Sequence, residues 1–230
     1  MPPTDRFVIS FAAEPPQQSA PYGRLAEVLR DQFVAACADI DSDGEELGEP
    51  GEIRWFPDRS FYGRTYVPAV ARTQQGYELF GFVSYQEEDD GPDLFEARAD
   101  FTGDVAEANP DWQMDLNEMV LGTWRGEGGN TAEMTLVWGV PLIPGGALVT
   151  AELADLAVDQ CALSEEQRFT MIAPDNYRSD YLDIKLWSKR GDRLAIESLY
   201  VEDDSDEDED DSETPNRDET DDRNGHEPDA

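Results

Sequence analysis

Along residues 94–101 the apolar positions Phe95, Ala97, Ala99 and Phe101 alternate with Glu96, Arg98 and Asp100. A period of two puts the first set on one face of a strand and the second on the other. Strand-like runs at 52–56, 61–73, 77–86 and 131–138 predict further strands, with turns at PDR, QQG and EEDDGPD. Residues 77–86 carry bulky side chains on both faces, which predicts a central strand. Pro68, lacking an N–H, predicts an edge or a bulge in 61–73. Residues 6–13 read as a first strand, and YLDIKLWSKRGDRLAIESLYV reads as a closing hairpin with Gly191 at its tip.

Helical spacing takes over elsewhere. Leu25, Val28, Leu29, Phe33, Ala36 and Cys37 give residues 22–38 one apolar face, with Pro21 suited to a helix start. Shorter helices are expected at 111–121, 148–160 and 165–172, the last opened by a capping box of Ser164 and Gln167. The pattern predicts an α+β fold, mostly antiparallel sheet flanked by a few helices. Residues 1–201 are expected to form one domain, or two intimate subdomains. Residues 202–230 form an acidic tail with almost no apolar residues, expected to be disordered.

Charge changes the picture most. The 230 residues carry 53 acidic and 17 basic side chains, a net charge of −36. Residues 202–230 hold 16 acids and two arginines, so a net −22 remains on the body. Lys185 and Lys189 are the only lysines. An acidic body with so little lysine fits a cytoplasmic protein of a salt-adapted prokaryote, whose self-repulsion is screened by salt. A GC-rich genome is the other source of an arginine excess. Nucleic acid is an unsuitable partner, because phosphate binding needs clustered cations, and anionic membranes are disfavoured for the same reason. No stretch reaches the roughly 18 apolar residues that a spanning helix needs.

Several chemistries are closed by residue type. The single histidine, His226, lies in the tail, so histidine-based triads and histidine zinc sites are not expected. Cys37 and Cys161, each in a helical pattern, read as buried free thiols. Asp39, Asp41, Asp43 and Gly44 match the start of a calcium loop, but the closing glutamate position is Pro50. Those aspartates are the candidate metal ligands, with Ca2+ the candidate ion and a plain acidic turn the alternative. Otherwise no cofactor is expected.

Positive charge gathers at IRWFPDRSFYGRTYVPAVAR, residues 53–72, and again at Arg178, Lys185, Lys189, Arg190 and Arg193. In the first, Tyr62, Arg64 and Tyr66 would share one face of a strand, with Arg54 and Arg59 beside them. Guanidinium groups stack on aromatic rings and bind carboxylates with two parallel bonds. The expected function is a non-enzymatic cytoplasmic binding protein whose contact surface is this aromatic–arginine face. The partner would be a protein or a small anionic ligand. A carboxylate-based enzyme, metal-assisted through Asp39, Asp41 and Asp43, and a calcium-binding protein are the alternatives.

Overall fold

The computed structural model describes residues 21–89, 91–125, 129–177 and 180–199; the expected strand at 6–13 and the tail at 202–230 lie outside these. The chain begins with helix α1 (Gly23–Ala38), continues through β1 (Ile53–Trp55), β2 (Arg59–Phe61), β3 (Arg64–Arg72), β4 (Glu78–Glu88) and β5 (Gly91–Thr102), and reaches a short 3-10 turn at Ala106–Ala108. Then follow β6 (Met114–Arg125), β7 (Thr131–Pro141), β8 (Gly146–Leu153), β9 (Leu156–Ala162), β10 (Phe169–Asp175), β11 (Leu182–Ser188) and β12 (Arg193–Ser198). Twelve strands against one α-helix among the described residues make the protein mainly β. The α+β expectation is corrected.

Three of the expected helices are strands. Residues 111–121 fall largely in β6. Residues 148–160 form β8 and β9, joined at Ala154 and Asp155, whose φ values of 50° and 60° give a tight two-residue turn. Residues 165–172 contain a turn and the start of β10; Ser164 accepts a bond from the Arg168 N–H at 3.1 Å, and Gln167 takes φ 61°. Cys161 is therefore on a strand, while Cys37 is on α1; both are free and buried.

The strands form three antiparallel sheets. The first has the order β1-β3-β4-β5, with β2 also on β3; the second is β10-β7-β6; the third is β12-β11-β8-β9. Leu25, Leu29, Phe33 and Cys37 recur every four residues on α1 and pack against Leu79, Val83, Phe95 and Phe101 of the first sheet. The opposite face of that sheet, through Val70 and Phe82, meets Leu136, Trp138 and Ile172 of the second. Val137, Phe169 and Met171 on the far side of the second sheet meet Val149, Ile184 and Leu186 of the third. The result is four layers, helix on sheet on sheet on sheet. Strand β4 is internal, as its two bulky faces require, and β5 presents its Phe95–Phe101 face to α1.

Pro68 has a specific place. β3 is paired on both sides, but its outer partner is broken: β1 pairs with residues 69–71 and β2 with residues 64–66. The Pro68 carbonyl accepts from Phe56 N at 2.9 Å. Carbonyl and nitrogen of one strand residue point the same way, so the nitrogen without a proton faces the gap between β1 and β2. An internal strand thus accommodates proline because its neighbour is interrupted there. No helix among the described residues is long and apolar enough to cross a membrane.

Candidate functional site

Of the residues expected to form one aromatic–arginine face, Arg54, Arg59, Arg64 and Tyr66 lie on one side of the first sheet by their registers, and Tyr62 leaves it. Phe61 pairs with Arg64, so Tyr62 and Gly63 are the two loop residues of a hairpin, with φ 52° and 72°. Tyr62 stands 86% exposed at its tip. Arg64 is held by the first sheet: it donates to Ser84 Oγ at 2.9 Å, to the Leu94 carbonyl at 3.0 Å and to Glu96 at 3.0 Å. Tyr66 packs edge-on against Phe82, ring centres 5.5 Å apart, and burial pushes its hydroxyl pKa up.

Arg59 is buried. Its guanidinium pairs with Asp159 of β9, and Asp159 also accepts from the Ile172 N–H of β10 at 3.1 Å. Since β2, β9 and β10 belong to different sheets, this ion pair and the Ile172 bond tie all three sheets together. Burial raises the Asp159 pKa although Arg59 and the N–H donors pull it down.

Asp39, Asp41 and Asp43 lie on the stretch after α1. The Asp43 N–H reaches Asp41 Oδ1 at 3.4 Å, and Ser42 Oγ donates to the Glu45 carbonyl at 2.7 Å. Local turn bonds occupy this segment, and no group of three metal-ligating side chains is gathered among the described residues. In the second positive segment, Lys185 is buried and held by Glu152 at 2.7 Å, with Asp155 and Asp183 further out; Arg178 lies outside the described residues.

Arg54 instead meets two arginines that the motif reading did not single out. It projects from β1 on the same side of the first sheet as Arg72 of β3, and Arg168 arrives from the turn before β10. The three line a cleft of about 560 Å³ together with Ile53, Trp55, Val70 and Ala71, of which Ile53, Trp55 and Ala71 turn their side chains to the α1 side of the sheet. The volume is within the usual size range of small-molecule sites. Arg54 and Arg168 both approach the ring of Phe56, with guanidinium carbons 5.9 and 5.8 Å from its centre. That distance is within cation–π range. Arg168 also donates to the outward-facing Trp55 carbonyl on the open edge of β1, at 2.6 Å.

The three guanidiniums are unequally neutralised. Arg72 pairs with Glu107 and lies 3.3 Å from Glu78, which is directly opposite it in the β3–β4 ladder. Arg54 has only a long contact to the same Glu78, 3.7 Å, and its Nε is buried without a hydrogen-bond partner. Arg168 makes no ion pair among the described residues. Its pKa is lowered, first by burial and then by Arg54, with Glu166 opposing. Behind the arginines, burial raises the pKa of Glu78 and of Asp115, and Asp115 raises Glu78 further. Glu78 also accepts from Asn117 Nδ2 at 3.4 Å.

Arg72 was legible as the partner of Glu78 across the QQG turn. Arg168 was not: it lies 113 residues from Trp55, in a segment whose pattern reads as helix. Fold and site together describe a mainly β protein with an arginine-lined cleft at the edge of its first sheet. No family model matches the chain, and neither a curated protein nor a solved structure matches it.

Proposed function

We propose that this is a non-enzymatic binding protein for a small anionic ligand, held in the Arg54–Arg72–Arg168 cleft, and that it works in the cytoplasm of a salt-adapted prokaryote. The observation that carries the binding proposal is that two guanidiniums, those of Arg54 and Arg168, meet in one cleft of a strongly acidic chain without a close carboxylate partner among the described residues. With 53 acidic side chains available, Arg168 has no carboxylate partner among the described residues, and Arg54 shares one at long range. Holding two like charges beside one phenyl ring is unfavourable until an anion joins them. Guanidinium forks suit such an anion because they bind oxygen pairs with two parallel bonds.

Glu78 is the internal competitor. Its carboxylate lies against Arg54 and Arg72 from inside the sheet, where a ligand oxygen would approach from the cleft. Glu78→Gln should therefore tighten anion binding. The rival is an enzyme in which the Glu78–Asp115 pair supplies an acid, since a carboxyl of raised pKa can donate a proton. On that reading Glu78→Gln abolishes turnover.

The test is a titration of the full chain with sodium acetate at constant ionic strength, following the arginine Nε–Hε resonances. Arg54 and Arg168 should move together, and Arg168→Gln should abolish the movement of Arg54. Titration that leaves both resonances in place would remove the basis for this function.

A further inference from the structure

Carboxylates line the cleft beside the arginines, and one of them bears on what the ligand must carry. We infer that the ligand is an amino acid or a close analogue, whose carboxylate binds Arg54 and Arg168 and whose ammonium binds Glu52. This rests on the anion-binding reading of the same cleft, and it places the anionic group at one end of a molecule that also carries a positive charge.

The charged groups of the cleft divide into those already engaged and those left over. Arg72 pairs with Glu107 and lies 3.3 Å from Glu78. The Glu78 side chain is only 4% exposed, which keeps it out of a ligand's reach. Arg54, Arg168 and Glu52 remain, all three on the cleft lining. Arg54 has only its 3.7 Å contact to Glu78, and neither Arg168 nor the exposed Glu52 makes an ion pair among the described residues.

Two guanidiniums and one carboxylate match the two charged ends of an amino acid. Glu52 is two residues before Arg54, so their Cα atoms are at most about 7 Å apart. A bare carboxylate held by Arg54 and Arg168 would therefore sit near Glu52 and be repelled by it. An ammonium on the carbon beside that carboxylate turns the repulsion into attraction, because it donates to Glu52. Such a ligand adds no net charge to a cleft where Arg54, Arg72 and Arg168 are already matched by Glu52, Glu78 and Glu107. Phosphate would meet the same guanidiniums but leave Glu52 facing a like charge. The volume, about 560 Å³, leaves room for a side chain as well.

The experiment compares glycine with acetate on the full chain by the Arg54 and Arg168 Nε–Hε shifts, at constant ionic strength and about pH 6.5, where the glycine ammonium is charged. The two probes share a carboxylate and differ by one ammonium. Glycine should bind about tenfold more tightly, a difference of ~1.4 kcal/mol. Glu52→Gln should bring the two to equal affinity. Glu107→Gln, which alters a carboxylate that Arg72 already holds, should leave the preference in place. Acetate binding the parent chain as tightly as glycine would overturn the amino acid class. A glycine preference that survives Glu52→Gln, or that falls equally with Glu107→Gln, would overturn the role of Glu52. Both results leave the carboxylate site of Arg54 and Arg168 standing. Failure of both probes to move either arginine would overturn the cleft itself.

Discussion

Arg59→Met should cost about 3–5 kcal/mol of folding stability, the usual consequence of removing one partner of a buried ion pair. That is a large share of the roughly 5–15 kcal/mol that holds a typical domain together. The side chains of Arg59 and Asp159 are 3% and 8% exposed, so water cannot replace the lost guanidinium. Asp159 would keep the N–H groups of Ile172 and Gln160 but lose its only ion-pair partner among the described residues. Asp159→Asn in the same chain should restore most of the loss, because the amide oxygen can still accept from Ile172 without burying a charge. Urea denaturation of the single and double variants measures both. A single variant within ~1 kcal/mol of the parent would show that the pair does not tie the sheets.

Stability should also rise as the pH falls from about 8 towards 5, and rise with salt. Burial is the first cause of the raised pKa values of Glu78, Asp115, Asp159 and Asp175. Glu118 is pushed up to about 7, first by desolvation and then by Asp175 and Glu133. The Glu118 residue is exposed as a whole, so solvent screens part of that effect. An acid whose folded pKa lies above its unfolded value favours the folded state most when protonated. That contribution is complete below the unfolded carboxyl range of about 4 and is lost as pH rises through the folded values. The window set by Glu118 therefore runs from about 4.3 to about 7. Protonation also lowers the net charge of −36, which acts in the same direction. Salt does so by screening: the Debye length falls from about 30 Å at ~0.01 M to about 3 Å at ~1 M. Melting temperatures of the full chain across pH 5–8 and across that range of potassium chloride should rise on both axes, and Glu118→Gln should flatten the first. A melting temperature that falls with salt would contradict the salt-adapted origin as well.

The parts of the fold that were legible are those where one face is apolar and the other is not. The four-residue recurrence of Leu25, Leu29, Phe33 and Cys37 specifies α1, and the alternation from Phe95 to Phe101 specifies β5 together with its buried side. The failures have the opposite character. LVTAELADLAV, residues 148–158, is rich in Leu and Ala, which favour helix locally. Stacking against the second sheet selects Val149, Ala151 and Leu153 as one inward face, so packing overrides that preference. The strand containing Tyr62 was read through a turn: Tyr62-Gly63 bends the chain back on itself and removes Tyr62 from the face assigned to Arg64 and Tyr66.

Site residues follow the same division. Arg54 was legible as part of a local concentration of arginine, and its neighbour Arg72 shares its side of the first sheet. Arg59 belonged to the same concentration but is consumed by Asp159, 100 residues away. Arg168 reaches the cleft only because the second sheet stacks on the first. Contacts between layers carry no sequence period, and that is why the cleft was not visible before the layers were assembled.

The most direct test of the arginine cleft is a crystal structure of the full chain grown with 4-bromobenzoate, with diffraction recorded at the bromine edge. The carboxylate should lie on the guanidiniums of Arg54 and Arg168, and the anomalous peak should lie within the cleft that they line with Arg72. A cleft without the anomalous peak, with Arg168 turned onto a carboxylate of its own chain, would contradict the account.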